Sequence, residues 1–205
     1  MRTLGKRLSY NEFFISLEFM AMNNQIIEQV NNWLDQVVIG LNLCPFAAKP
    51  QRSNQIHLQV YAGKSDKELL ECLQQAMLEL EAKSAQERET TVIIIANHLQ
   101  DFADYNQFLD LSDALLEQED WHGIIQLASF HPNYQFAGTQ PEDAENLTNR
   151  APYPLLHLIR EDSIEEVLSK YPNPEAIPAT NISRMQSLTQ QDKLRLFPFL
   201  FGHKE

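Results

Sequence analysis

The chain has 205 residues, with 16 Lys and Arg against 28 Asp and Glu, which gives a formal net charge of −12. A chain of this length buries enough surface to fold without a disulfide or a metal. The acidic balance argues against a nucleic-acid partner, which needs a basic stripe, and against an anionic membrane surface. The six glycines lie too far apart for a dinucleotide- or phosphate-binding loop. We therefore predict no nucleic acid, no membrane and no cofactor.

The cysteines and the N-terminal segment indicate the compartment and the domain limits. Cys44 and Cys72 are the two cysteines, too few for a disulfide framework, which is typical of a cytoplasmic protein. Residues 1–21 contain three basic and two acidic residues and no clear helical stripe. We predict that they are an N-terminal extension or a mis-assigned start, that the natural chain begins near Met22, and that residues 22–205 form a single cytoplasmic domain.

Hydrophobic periodicity predicts the helices and strands. The first helix has a wide apolar face and would be capped by Asn23 or Asn24, and the second strand is almost entirely β-branched, as in a strand buried on both faces. In chain order we predict a helix over 26–41, a strand over 57–62, a helix after a capping box at 65–68, a strand over 91–96, a helix over 101–118, a strand over 123–130, a strand over 155–160 and a short helix over 163–170.

This order of elements predicts the fold class. Alternating strands and helices favour crossover connections and a parallel sheet. The fourth strand follows the third without a long helix, so we expect it to pair antiparallel at or near the third strand. The predicted fold is α/β, a single domain with a four-stranded, mixed but mostly parallel sheet flanked by helices.

The segment between the third and fourth strands is the candidate site. It is far longer than a hairpin requires, and its aromatic residues and prolines favour an ordered loop. Ordered loops on a rigid sheet often carry function. His131 ends one strand and His157 lies in the next, so the two imidazoles would approach each other if these strands pair.

The first functional hypothesis is an enzyme acting on a small polar or anionic metabolite. The histidines would transfer protons, the arginines would bind an anionic group, and the amides would orient the substrate. The candidate residues are His131 and His157 as catalytic groups, Asn146, Asn149, Arg150 and Arg160 as substrate-binding groups, and Cys44, Asp143 and Tyr153 as possible further members. Cys44 follows the first helix, where the helix dipole would raise the pKa of the thiol and disfavour a nucleophile.

Three alternatives stay open. The chain could be a non-catalytic module that binds a small-molecule ligand or a partner protein through the same loop, with its acidic helices facing a basic partner. It could hold a divalent metal ion at His131, His157 and Asp143, with Cys44 as a further ligand. The loop could also be structural, with His131 bonded to a backbone carbonyl. The sequence predicts no oligomeric state.

Three strings, GLNLCPFA (40–47), FHPNYQFAG (130–138) and TNRAPYPLLHLIRE (148–161), resemble a bacterial family known as domain of unknown function fourteen-fifteen. The resemblance runs from about Met22 to Phe201. It implies a cytosolic bacterial protein and supplies no activity. Ala151 stands where the family pattern has serine, so a role for that hydroxyl does not carry over. The strings include these candidate residues: Cys44, His131, Asn149, Arg150, His157 and Arg160.

Overall fold

A computed structural model describes the backbone of residues 10–202 and the side chains of residues 18–202. It contains a four-stranded sheet. The strands are β1 (Ile56–Tyr61), β2 (Thr90–Ile95), β3 (Ile125–Phe130) and β4 (Leu155–Arg160). Their order across the sheet is β1-β2-β4-β3, so β1 and β3 are the edge strands and β4 lies inside.

The strand directions correct one part of the predicted fold. β1 and β2 are parallel, whereas β4 is antiparallel to both β2 and β3. The mixed four-stranded sheet flanked by helices is confirmed, as is the antiparallel pairing of the third and fourth strands, but the expectation of a mostly parallel sheet is wrong. The crossovers do leave β1, β2 and β3 pointing the same way. The loop after β3 then returns the chain into the gap between β2 and β3, and a strand that enters there runs opposite to both.

Helices cover the sheet on both sides. Within residues 10–202 they are α1 (Tyr10–Trp33), α2 (Ala48–Arg52), α3 (Asp66–Ala82), α4 (Phe102–Gln118), α5 (Glu161–Leu168), α6 (Ile177–Gln186), α7 (Gln190–Leu196) and α8 (Pro198–Phe201). Helix α1 continues as a π-helical segment, Leu34–Ile39, and short 3-10 helices lie at Ala144–Asn149 and Pro174–Ala176. Among these described helices, none combines the length and the apolar character that crossing a membrane requires.

Helix α1 begins well before the predicted caps. It starts at Tyr10, so Asn23 and Asn24 are interior positions and the cap prediction is wrong. No Gly or Pro interrupts residues 10–22, and the large apolar side chains of Phe19, Met20 and Met22 are exposed, which explains the missing apolar stripe. Residues 1–9 of the predicted extension lie outside the described residues, and the start near Met22 stays a prediction.

Each face of the sheet carries its own hydrophobic cluster, because successive side chains of a strand point to opposite faces. On one face the strands pack against α3 and α4. On the other face they pack against α1, its π-helical extension and the C-terminal helices. The first cluster includes Ile93, Ile95, Leu156, Leu158, Leu69, Met77, Tyr105 and Phe108. The second includes Val92, Ile94, Leu155, Val30, Leu34, Met185 and Phe197.

Candidate functional site

Asn146 holds the candidate loop together from inside. Its side chain is fully buried. Oδ1 accepts hydrogen bonds from the Phe136 N–H and from Thr139 Oγ1, both at 2.9 Å, and Nδ2 donates to the Gln140 carbonyl at 2.7 Å. Residues 136–140 form no helix or strand, and the Phe136 N–H finds its acceptor in this amide, while the Gln140 carbonyl also accepts from the Asp143 N–H at 3.0 Å. The amide predicted to orient a substrate is thus bonded to the loop backbone.

Asn149 lies beside the end of β3. Its carbonyl accepts from the His131 N–H at 3.1 Å, and its side-chain Nδ2 donates to the Ser129 carbonyl at 3.1 Å. A residue on a neighbouring parallel strand would make the same two bonds, one on each side of Phe130. Asn149 therefore takes the place of a strand neighbour for one residue and covers this end of the sheet edge.

His131 is buried with backbone partners on both ring nitrogens. Its Nδ1 accepts from the Asn133 N–H at 3.0 Å, which makes Nε2 the protonated nitrogen, and Nε2 donates to the Leu99 carbonyl at 3.1 Å. The rings of Phe102 and Tyr105 in α4 lie 5.3 and 5.1 Å from the imidazole. Burial lowers the pKa of His131, and the Leu99 carbonyl partly opposes this. This arrangement matches the alternative in which the loop is structural and His131 bonds a backbone carbonyl.

His157 lies on the other face of the sheet. Its ring is 6.4 Å from Phe130, which packs with Trp33 of α1. The Nε2 atom is shielded from solvent and has no hydrogen-bond partner among the described residues. Desolvation lowers the pKa of His157 to about 4. Since His131 packs against α4, the sheet separates the two imidazoles, and the structure does not bring the predicted acid and base together.

The two arginines also bind different parts of the chain. Arg150 donates from Nε to the Tyr134 carbonyl at 3.1 Å and from Nη2 to the Pro141 carbonyl at 2.7 Å. Burial lowers the pKa of Arg150, while the nearby Glu142 opposes this. Arg160 donates to the Leu80 and Lys83 carbonyls at the C-terminus of α3. Arg150 therefore braces the loop, and Arg160 satisfies terminal carbonyls of a helix.

The possible further members are also apart. Asp143 is exposed and accepts from the Gln140 N–H at 2.8 Å, and Tyr153 donates its hydroxyl to Gln29 of α1 at 2.5 Å. Burial raises the pKa of Cys44, although the N–H groups of Phe46 and Ala47 oppose this. The pKa of Cys44 is therefore raised, in the direction that the sequence predicts, with burial as the cause.

The predicted metal ligands do not assemble. Among the side chains of residues 18–202, no group of three or more His, Cys, Asp and Glu is placed to hold a metal ion. His131 is closed off by backbone partners on the α4 face, His157 faces α1, and Asp143 is at the surface of the loop. The enzymatic hypothesis stays a prediction.

Tyr105, in the helix predicted over 101–118, places a polar group beside the start of the candidate loop. Its buried hydroxyl donates to the Leu155 carbonyl at 2.6 Å and accepts from the Phe130 N–H at 3.2 Å. Phe130 and Leu155 are partners in the β3–β4 ladder, so the hydroxyl is inserted into that ladder. Burial raises the pKa of Tyr105. A tyrosine in an otherwise apolar helix stripe signals a hydroxyl that needs a buried partner.

Tyr105→Phe is expected to lower the free energy of unfolding by about 2 kcal/mol, because it leaves a buried N–H and a buried carbonyl without their shared partner. Urea unfolding at neutral pH measures the change. Tyr134→Phe is the matched control, since the Tyr134 hydroxyl makes no hydrogen bond within the described residues, and its effect should stay within about 0.5 kcal/mol. Equal effects of the two substitutions would contradict a role for the inserted hydroxyl.

The outer edge of β3 carries unpaired backbone groups. In an antiparallel pair, alternate residues direct both backbone polar groups at the partner. The Glu161 N–H donates to the Ile124 carbonyl at 3.0 Å, and Ile125 is opposite Arg160, so even-numbered residues of β3 face β4. Ile125, Leu127 and Ser129 therefore face outward. The Ile125 N–H bonds the Trp121 carbonyl, and Asn149 occupies the Ser129 carbonyl.

Four outward groups of β3 thus lack a partner within residues 10–202: the Ile125 carbonyl, the Leu127 N–H and carbonyl, and the Ser129 N–H. A groove of about 280 Å³ lies next to them, between β3 and α4. Its apolar lining is Leu109, Leu116, Ile125 and Leu127, and its polar lining is Asp113, His122, Gln126, Ser129 and Glu161. His122 Nε2 lies 3.8 Å from the Asp113 carboxylate. An open strand edge and a half-apolar groove therefore adjoin each other.

Comparison with known proteins finds one family. A family model described as "Protein of unknown function (DUF1415)" matches residues 25–195. The match includes the sheet, the loop after β3 and the groove beside α4. No curated protein and no solved structure matches the chain.

Proposed function

The chain belongs to the family described as protein of unknown function (DUF1415), and we propose that it is a non-catalytic binding module that takes up an extended segment of a partner protein as a fifth strand beside β3. The observation that carries this proposal is the row of four unpaired backbone groups on the outer edge of β3. Such a row is a template for another strand, and strand addition is a recurring mode of peptide recognition.

The composition of β3 supports an edge that is kept available. Proteins usually protect exposed edges with charged side chains, prolines or bulges. The β3 sequence, IQLASF, contains no charge and no proline, and its pairing with β4 runs without a bulge. Asn149 covers one end, which defines where an added strand would stop. The neighbouring groove would receive alternate side chains of that strand, since successive side chains point to opposite faces.

This proposal keeps the binding-module hypothesis and moves its site. The side chains of His131, Asn146 and Arg150 are bonded to backbone groups of the chain, whereas the outward groups of β3 are free to bond a partner. The loop contributes Asn149 and fixes the end of the edge. Uptake of a small-molecule ligand by the loop, and the substrate-binding roles given to Arg150 and Arg160, stay predictions.

Selection of peptides tests the proposal. A display library of random heptapeptides is panned on the whole chain, and selected peptides are measured by fluorescence anisotropy. We expect Leu127→Pro and Ser129→Pro each to weaken their binding at least about tenfold, which is about 1.4 kcal/mol. Each proline removes one outward N–H and leaves the bonds to β4 in place, which is why edge strands tolerate proline.

Ala128→Ser is the matched control, because residue 128 directs its backbone at β4 and does not line the groove. It should leave peptide affinity within about twofold, a change of less than 0.5 kcal/mol. Circular dichroism establishes which proline variant is folded. Two variants are used so that the test still stands when one of them does not fold. Selected peptides that bind both folded proline variants as tightly as the native chain would refute strand addition, as would a panning that yields no binder.

A further inference from the structure

We infer that the segment that pairs with β3 is basic, with Lys or Arg among the side chains that face the groove, an inference that rests on the proposed function. The charges around the edge are one-sided. Helix α4 carries Asp104, Asp110, Asp113 and Glu117, and helix α5 carries Glu161, Asp162, Glu165 and Glu166. Neither helix contains a Lys or an Arg, and β3 contains no charged residue at all.

Two of these carboxylates lie in the groove itself. Asp113 and Glu161 both line it, and the side chain of Asp113 is 73% exposed, so a ligand can reach it although His122 Nε2 lies 3.8 Å away. A cleft that presents one sign of charge between low-dielectric walls concentrates the potential and attracts the opposite charge. The groove therefore favours cationic side chains over neutral ones and disfavours anionic ones.

The register of β3 indicates where the cations would lie. Partner residues opposite Ile125, Leu127 and Ser129 would point to the same face as those side chains, into the groove. Glu161 lies at the Ile125 end, because its N–H bonds the Ile124 carbonyl. Leu109 and Leu116 of α4 supply the apolar part of the groove. A segment of about five residues, some 13 Å long, would thus combine a basic residue near Ile125 with an apolar residue in the groove.

A second copy of the chain fits this surface less well. Two β3 strands related by a two-fold axis would join the sheets and place the α4 helix of one copy beside that of the other. Each α4 has four carboxylates and no basic side chain, so like charges would face each other across the joint. The same carboxylates attract a basic segment. Because they repel a second copy and attract a basic segment, we infer that the basic segment is the one that binds at this edge.

Three labelled peptides test the inference on the whole chain. They are Lys-Thr-Val-Thr-Lys, Gln-Thr-Val-Thr-Gln and Glu-Thr-Val-Thr-Glu, each blocked at both ends. We expect the lysine peptide to bind at least about tenfold tighter than the glutamine peptide, and the glutamate peptide to bind weakest. The preference should shrink between about 0.05 M and about 0.5 M salt, because exposed charges are screened. Asp113→Asn and Glu161→Gln should each reduce it.

Asp110→Asn is the control, since it removes the same charge from the same helix outside the groove lining. A lysine peptide that binds no tighter than the glutamine peptide at low salt overturns the basic partner, even when Leu127→Pro still abolishes binding and strand addition stands. Binding that ignores Leu127→Pro and Ser129→Pro overturns the proposed function instead. A dimer of the native chain that dissociates in Leu127→Pro identifies a second copy as the occupant and also overturns the inference.

Discussion

Asn146→Ala is expected to lower the free energy of unfolding by about 2 kcal/mol, because a backbone group of the loop loses its only partner and an orphaned group costs about 1–3 kcal/mol. That group is the Phe136 N–H, whereas the Gln140 carbonyl loses one donor and keeps the Asp143 N–H at 3.0 Å. The following 3-10 helix, Ala144–Asn149, includes Asn149, which is bonded to the end of β3. Loss of the amide should therefore be felt in the global unfolding transition and not only in the loop.

Asn146→Asp tests the same site with almost no change of shape. The new carboxylate places an oxygen against the Gln140 carbonyl, where the native amide donates, and its charge is buried. At neutral pH the loss should be at least that of the alanine variant. The buried carboxyl has a raised pKa in the folded chain, so its penalty is present in full above that pKa and shrinks as the pH falls toward about 4. Once protonated, it again donates to the carbonyl.

Urea unfolding at several pH values measures both Asn146 variants. Asn133→Ala is the control, because Asn133 is an exposed asparagine of the same loop and bonds His131 through its backbone N–H, which the substitution keeps. Its effect should stay within about 0.5 kcal/mol. Asn146→Ala within that same range would show that the amide does not hold the loop. A penalty for Asn146→Asp that grows on acidification would contradict the buried donor.

The elements were predictable from local patterns and the strand order was not. The uniform β-branched run marked β2 as buried on both faces, and all six of its residues are buried. The fourth strand was predicted over 155–160, and β4 lies at Leu155–Arg160. The insertion of β4 between β2 and β3 depends on where a 24-residue connection crosses the sheet, and periodicity within a strand carries no information about its neighbours.

The residue types in the loop between β3 and β4 drew attention to its polar side chains but did not reveal what those side chains bond. His131 and Asn146 were both singled out, and both bond backbone groups: His131 bonds those of Asn133 and Leu99, and Asn146 bonds those of Phe136 and Gln140. A buried amide that completes a loop and one that awaits a ligand look alike in a sequence, because the difference lies in which partners surround it. The open edge of β3 was likewise invisible, since it exists only once β4 is known to lie on the inner side.

The stability of the chain is expected to fall by about 2 kcal/mol between pH 7 and pH 5 because of His157 alone. Desolvation holds the pKa of the folded imidazole at about 4, whereas the unfolded chain titrates near 6.5. As the pH drops through 6.5 the unfolded chain gains a proton and the folded chain does not, so unfolding becomes more favourable. The loss reaches about 3 kcal/mol near pH 4 and levels off below it, once the folded imidazole is protonated as well.

His157→Leu should remove this part of the pH dependence. It also removes a shielded nitrogen that has no partner among the described residues, so its stability at pH 7 should equal or exceed that of the native chain. The test is the change in the free energy of unfolding between pH 7 and pH 5, measured for the native chain and for His157→Leu. The carboxylates and His131 contribute equally to the two proteins, so they cancel when one change is subtracted from the other. His122→Gln, which removes an exposed histidine, should keep the native slope. An unchanged slope in His157→Leu would mean that the imidazole is solvated and titrates normally.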